Sequence, residues 1–200
     1  MYRKSKRVLD IVLSVIGLVI LSPLFLLIVI AIKLDSPGPV FFKQKRVGIH
    51  KKHFMILKFR TMSIYTPKDC PTHLLENPER FITRVGKLLR KTSLDELPQI
   101  FNIIKGEMSI VGPRPALWNQ FDLIAERDKY GANDVYPGLT GLAQVMGRDE
   151  LSIEDKARTD GEYVQKMGAL LDSKIFFMTI LNVLRHKGVQ EGKQTTEDDG

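Results

Sequence analysis

From Ile11 to Ile32 the chain runs 22 residues without a charge, interrupted only by Ser14, Gly17 and the pair Ser22-Pro23. That length suits a hydrocarbon core of ~30 Å, and an ordinary spanning helix is its simplest reading. The run exceeds the ~7–15 apolar residues of a secretory signal, and no small-x-small cleavage site follows it. Pro23 divides it into 11 residues, Ile11 to Leu21, and nine, Leu24 to Ile32. Proline removes an amide donor and collides with the preceding turn. Each half is then only ~14–17 Å long, too short to cross alone. A sharp break at Ser22-Pro23 returns both ends to one face, with Ser22 satisfying a freed carbonyl. This re-entrant hairpin is the expectation, against a mildly kinked span.

After the turn-rich Asp35-Ser36-Pro37-Gly38-Pro39, two β-prone runs, Val40 to Phe42 and His53 to Phe59, predict a small hairpin around residues 48–52. Residues 63–78, with Pro67, Pro71 and Pro78, read as a loop. Helical patterns cover Glu79 to Lys91, Pro98 to Lys105, Ala116 to Tyr130, Ser152 to Met167 and Ala169 to Arg185. The last is the most apolar, but Asp172, Lys174 and Asn182 interrupt it, which predicts a core helix rather than a second anchor, with a resting place at the membrane interface as the alternative. The predicted fold is α+β and mostly helical. A re-entrant helix-break-helix occupies residues 1–35, a small globular domain with a short β-hairpin and interfacial helices residues 36–190, and a polar tail residues 191–200.

The average composition of the 200 residues, 44% hydrophobic and 26% charged, conceals this division. Residues 1–60 hold 12 Lys and Arg against Asp10 and Asp35, a net +10, which leaves −3 for the rest of a chain whose total is +7. Such a basic band around an apolar run suits anionic headgroups, each Lys or Arg contributing about 1 kcal/mol. No nucleic-acid-binding signature accompanies it. The single Cys70 excludes an internal disulfide and fits a reducing, cytosolic face.

The strongest local motif is Ser93-Leu94-Asp95-Glu96-Leu97-Pro98-Gln99. One reading is a capping box, with the carboxylates complementing a helix dipole. Pro98 favours Asp95 as the N-cap over Ser93, because the third helical position needs no amide donor. The functional reading uses the same place: an ionised Asp95 attacks phosphorus to form an aspartyl-phosphate, Glu96 orients it or handles a proton, and paired carboxylates facing phosphates suit Mg²⁺. In Gly112-Pro113-Arg114-Pro115 two prolines stiffen the chain around Arg114, which suits a bidentate phosphate fork, or else a solvated surface turn. Lys58 and Arg90 are further cations. The glycine-spaced Pro137 to Arg148 stretch reads as a tight loop from which Gln144 and Arg148 reach a ligand. His50, His53, His73 and His186 lack metal-ligand spacing.

Taken in order, Lys6-Arg7-x-x-Asp10, Ser22-Pro23, Lys58-Phe59-Arg60-Thr61-Met62, Ser93 to Asn102, Gly112-Pro113-Arg114-Pro115 and Pro137-Gly138-x-Thr140-Gly141 closely resemble the small monotopic phosphoglycosyl transferases, the bacterial sugar transferase family. The resemblance covers nearly the whole chain. It implies transfer of a sugar 1-phosphate from a UDP-sugar to polyprenol (undecaprenyl) phosphate, the first membrane step of glycoconjugate and polysaccharide biosynthesis. It further implies an aspartyl-phosphosugar intermediate on Asp95, the catalytic pair Asp95 and Glu96, Mg²⁺ at Asp95, and a monotopic place on the cytosolic face of the bacterial inner membrane. Lys58, Arg90, Arg114 and Asp160 match charged positions of the family's active site. Met146 and Asp149 depart from the family's usual residues, so the donor sugar is not carried over. A homodimer is compatible with the sequence. The competing class is a non-enzymatic membrane-anchored module in which Asp95 and Glu96 only cap a helix. A third reading has the lipid phosphate attack directly while Asp95 holds Mg²⁺.

Overall fold

The computed structural model describes residues 2–66, 78–147 and 151–185. Arg148, most of the loop read at 63–78, and the tail at 191–200 lie outside them.

The apolar run forms one helix, α1 (Tyr2–Asp35), with Pro23 inside it. The expected break into two helices is replaced by a continuous helical path, for a local reason. A proline at 23 leaves the carbonyl of Val19 without its donor, and Ser22 Oγ donates to that oxygen at 2.8 Å. Among the described residues α1 is the one helix long and apolar enough to cross a membrane. Its two halves nevertheless dock on the same body. Near the start, Arg7 donates to the carbonyls of Met108 (2.8 Å) and Ile103 (2.5 Å). Ser109 donates to Asp10 at 2.6 Å, and Lys6 pairs with Asp172 at 2.7 Å. Further along, Phe25, Ile28 and Ile32 are buried with Phe59 and Leu89. The Phe25 ring lies 5.2 Å from that of Phe59 and 6.1 Å from that of Phe101. Asp35 then accepts from the amide of Val85.

Strands β1 (Phe41–Val47) and β2 (His53–Phe59) form the antiparallel hairpin, pairing Phe41 with Phe59 and Val47 with His53. β1 runs past the predicted Phe42 because Lys43 and Lys45 point outward while Gln44 and Val47 are buried. Helix α2 (Arg84–Lys91) starts later than Glu79, since Thr83 caps it by accepting from Gly86 N at 3.0 Å. Helix α3 (Gln99–Lys105) leads to β3 (Ser109–Val111), which pairs in parallel with β4 (Gly138–Thr140). This small sheet escapes a sequence reading because each strand is three residues long. It is also unusually close: a Cβ on Gly138 would stand 2.2 Å from the amide nitrogen of Gly112.

Helix α4 (Phe121–Asp128) is shorter than predicted, and α5 (Leu142–Met146) lies within the stretch read as a loop. Ser152 caps α6 (Ile153–Lys166) by accepting from Asp155 N at 3.0 Å. α7 (Ala169–Leu184) corrects the core-helix expectation. Only Asp172 and Ile175 of it are buried, whereas Leu170, Phe177 and Leu184 are 91%, 63% and 69% exposed. Its polar residues do not mark a buried helix interrupted by charge. Asp172 points inward to Lys6 and to the hydroxyls of Tyr2 and Tyr163, and the apolar majority faces out.

Candidate active site

Three elements converge on one cluster. β2 carries Lys58 near its end, where the hairpin register places it opposite Phe42. Between α2 and α3 the chain turns through Ser93, which adopts the left-handed φ of 56°. A 3-10 turn, Leu94–Glu96, follows and presents Asp95 and Glu96. A non-glycine residue in that region costs of order 1 kcal/mol and persists where surrounding structure holds it. β3 ends at Val111, and Gly112 hands the chain to Pro113-Arg114-Pro115.

Lys58 Nζ stands 2.8 Å from Glu96 Oε1 and 3.8 Å from Asp95 Oδ2. Arg114 Nη2 reaches the same Glu96 oxygen at 3.0 Å. One carboxylate oxygen thus anchors two cations that arrive from separate parts of the chain. Burial pushes the Asp95 carboxyl above the usual carboxylate range. Lys58 is the largest force in the other direction, Glu96 adds to the rise, and Arg90 and Arg114 oppose it. Arg90, at the end of α2, therefore belongs to the same electrostatic field.

The capping reading fails on geometry. Ser93 makes no side-chain cap bond, and α3 begins at Gln99 after Pro98, with neither Ser93 nor Asp95 as its N-cap. The amides a cap would serve are already used, since Glu96 N donates to Ser93 O and Leu97 N to Leu94 O. The carboxylates face cations instead.

Asp160 is paired with a buried arginine. It is 1% exposed on α6, and its Oδ2 accepts from Arg127 Nε at 2.9 Å and Nη2 at 2.5 Å. Burial raises its carboxyl above the usual range while Arg127 holds it down. Arg127 in turn donates to the carbonyl of Arg114 at 2.9 Å. Gln144 lies on α5 and donates to Leu139 O at 3.3 Å, so its described bond serves the loop's own backbone. Arg148 lies outside the described residues. Met146 is exposed.

Two residues near the cluster were missed. Arg46 donates to Pro115 O at 3.0 Å and to Gln44 Oε1 at 2.6 Å. Burial pushes it down to about 9, with Arg114 assisting and Glu96 opposing. Polar residues at the alternate, inward positions 44 and 46 of a strand are the signal that points to it. Arg127 carries no such mark, being one charged residue in a charged helix.

Mg²⁺ is held in proteins through one or two carboxylates completed by waters and substrate phosphates. Asp95 beside Glu96 supplies that oxygen chemistry. Among the described residues no group of three or more His, Cys, Asp or Glu makes a dedicated cage. The donor set therefore fits a cation brought together with phosphates.

The profile of the bacterial sugar transferase family matches residues 1–186. The chain is 39% identical over 193 residues to the sugar transferase EpsL of Bacillus subtilis, covering 96% of this chain and 94% of that one. It is 39% identical over 191 residues to the UDP-glucose:undecaprenyl-phosphate glucose-1-phosphate transferase of Escherichia coli, covering 89% of this chain and 40% of that protein. It is 38% identical over 195 residues to the UDP-N-acetylgalactosamine-undecaprenyl-phosphate N-acetylgalactosaminephosphotransferase of Aeromonas hydrophila, covering 94% of this chain and 46% of that protein.

Proposed function

Because the chain belongs to the bacterial sugar transferase family, we propose that it transfers a sugar 1-phosphate from a UDP-sugar to polyprenol (undecaprenyl) phosphate, giving polyprenol-diphosphate-sugar and UMP. The observation that carries this reading is the Asp95–Glu96 pair set among Lys58, Arg90 and Arg114, next to a membrane-length helix. A carboxylate nucleophile and a diphosphate repel one another, so the site must supply positive charge before they meet.

An Asp95 carboxylate oxygen attacks the sugar-bearing phosphorus. The bond from that phosphorus to the bridging oxygen breaks, and its electron pair leaves with UMP. A polyprenol phosphate oxygen then attacks the aspartyl-phosphosugar, and the Asp–phosphorus bond breaks to restore the carboxylate. Glu96 holds Lys58 and Arg114 at fixed positions, from which they and Arg90 neutralise phosphate oxygens. Bound at Asp95 with the substrate phosphates, Mg²⁺ would supply further charge neutralisation. Asp95 is buried enough to be weakly hydrated, which favours attack once it is ionised.

The same proposal places α1 as a re-entrant anchor on the cytosolic face of the inner membrane. Support comes from the docking of both halves on one domain: Arg7 and Asp10 just before the apolar run, Phe25 and Ile32 within its second half. A straight span would separate those ends by ~30 Å of hydrocarbon. The Lys6–Asp172 pair fastens α1 to α7, and each helix carries exposed apolar side chains suited to contact with lipid. Purified protein given a panel of UDP-sugars, Mg²⁺ and undecaprenyl phosphate is expected to release UMP with one donor or a few. No release with any donor, from protein shown to be folded, would reject the reading.

A further inference from the structure

Four successive carbonyls across the Pro-Arg-Pro segment each receive a donor. Gly138 N donates to Pro113 O at 2.9 Å, and Val47 N to Ala116 O at 2.9 Å. Between them, Arg127 Nη1 donates to Arg114 O at 2.9 Å and Arg46 Nη1 to Pro115 O at 3.0 Å. The outer two bonds are ordinary backbone pairing. The inner two come from guanidiniums, standing where the amides of a neighbouring strand would be. Prolines at 113 and 115 lack amides, so this stretch cannot be fastened through its own donors there and depends on its acceptors. Arg127 is itself fastened twice to Asp160. Side-chain exposure falls from 32% at Arg114 to 7% at Arg127 and 1% at Asp160. Of these three, Arg114 alone has a substantially accessible side chain.

We propose that Arg46 and Arg127 are positioning residues that lock the backbone of Arg114, and that Asp160 acts on substrate only through Arg127. This rests on the reading of the cluster as a diphosphate site. A guanidinium fork gains over a point charge only if its base is held still, since small misplacements of a polar group are costly in a closed site. Two charged grips on consecutive carbonyls supply that rigidity. Asp160 offsets the buried charge of Arg127, and an unpaired guanidinium at that depth would be strongly unfavourable.

The test is a double-mutant cycle on the full chain in detergent, with inorganic pyrophosphate as the probe, so that affinity is read by calorimetry without turnover. Asp160→Asn is expected to weaken pyrophosphate about tenfold in the wild-type background and to add no weakening in an Arg114→Met background. Arg46→Lys keeps the charge but loses the two-armed grip, and it is expected to show the same non-additivity even if Asp160→Asn fails to fold. In turnover assays both variants raise KM for the UDP-sugar more than they lower kcat. Wild-type affinity in a folded Asp160→Asn or Arg46→Lys variant would overturn the proposal. So would equal weakening with and without Arg114. Turnover of UDP-sugars by the wild-type chain is a separate result, so failure of the functional reading is distinguishable from failure of the clamp.

Discussion

Phe25→Ala isolates the claim that the second half of α1 belongs to the globular domain. The Phe25 ring is 9% exposed and lies against Phe59 at 5.2 Å and Phe101 at 6.1 Å. A buried phenylalanine removes roughly 150–200 Å² from solvent, which at ~25 cal/mol per Å² is worth about 4 kcal/mol. Truncation to alanine typically costs ~3–5 kcal/mol once the cavity is included. For a chain of this size each kcal/mol lowers Tm by about 2–4 °C, so the expected drop is on the order of 10 °C. Leu27, two residues on, is 64% exposed, and Leu27→Ala serves as the control. Its side chain faces outward, where lipid or detergent replaces the contact, and the expected change is within ~0.5 kcal/mol. Thermal unfolding in detergent, followed by circular dichroism, gives both numbers. Equal shifts for the two variants would refute the packing argument, because residue 25 would then meet no more protein than residue 27 does.

Asp95→Asn is expected to abolish turnover and to raise Tm, since burial opposes the charged form that asparagine lacks. Loss of a helix cap would instead lower stability by about 1 kcal/mol, so the sign of the Tm change separates the two roles. The pH dependence has a definite direction. A carboxyl held above its ordinary range is protonated first as pH falls, so kcat/KM declines on the acid side, and its native-state protonation stabilises the fold there. Lys58→Met removes the largest force opposing that rise, and its acid limb in a pH–rate profile is expected at higher pH than that of the wild type. Gly138→Ala places a methyl 2.2 Å from Gly112 N; overpacking of this kind costs roughly 1–3 kcal/mol, read by denaturant unfolding, with kcat/KM falling because the strand beneath Arg114 shifts.

β2, α6 and the extent of α7 are legible in the hydrophobic pattern, from the β-prone run His53 to Phe59 and the helical runs after Ser152 and from Ala169, whereas the outward apolar face of α7 is not. The parallel pair β3–β4 was not, because three-residue strands leave no period and their closeness depends on Gly112 and Gly138 meeting across the fold. The Ser22 bond to a freed carbonyl is legible beside Pro23 and is present, but the unbroken helical path of α1 through Pro23 is not, because local proline chemistry does not fix how far a helix bends. Of the site, Lys58, Asp95, Glu96 and Arg114 were chosen from residue type and motif, and the fold brings them together. Asp160 was named as a charged site position, but its partner Arg127 lies 33 residues away in sequence, and no local pattern couples them. Arg46 lies in a basic strand where Lys43 and Lys45 on the outward side mask the alternation that turns Gln44 and Arg46 inward.

The central claim is that Asp95 carries the sugar phosphate between donor and lipid. Intact-mass measurement of the purified protein with a turned-over UDP-sugar and Mg²⁺, and without any lipid acceptor, tests it directly. The account predicts a mass gain of one sugar phosphate with release of UMP, removal of that mass when undecaprenyl phosphate is added, and no gain in Asp95→Asn. UMP release that requires undecaprenyl phosphate, with the protein mass unchanged throughout, would contradict it and show direct attack by the lipid.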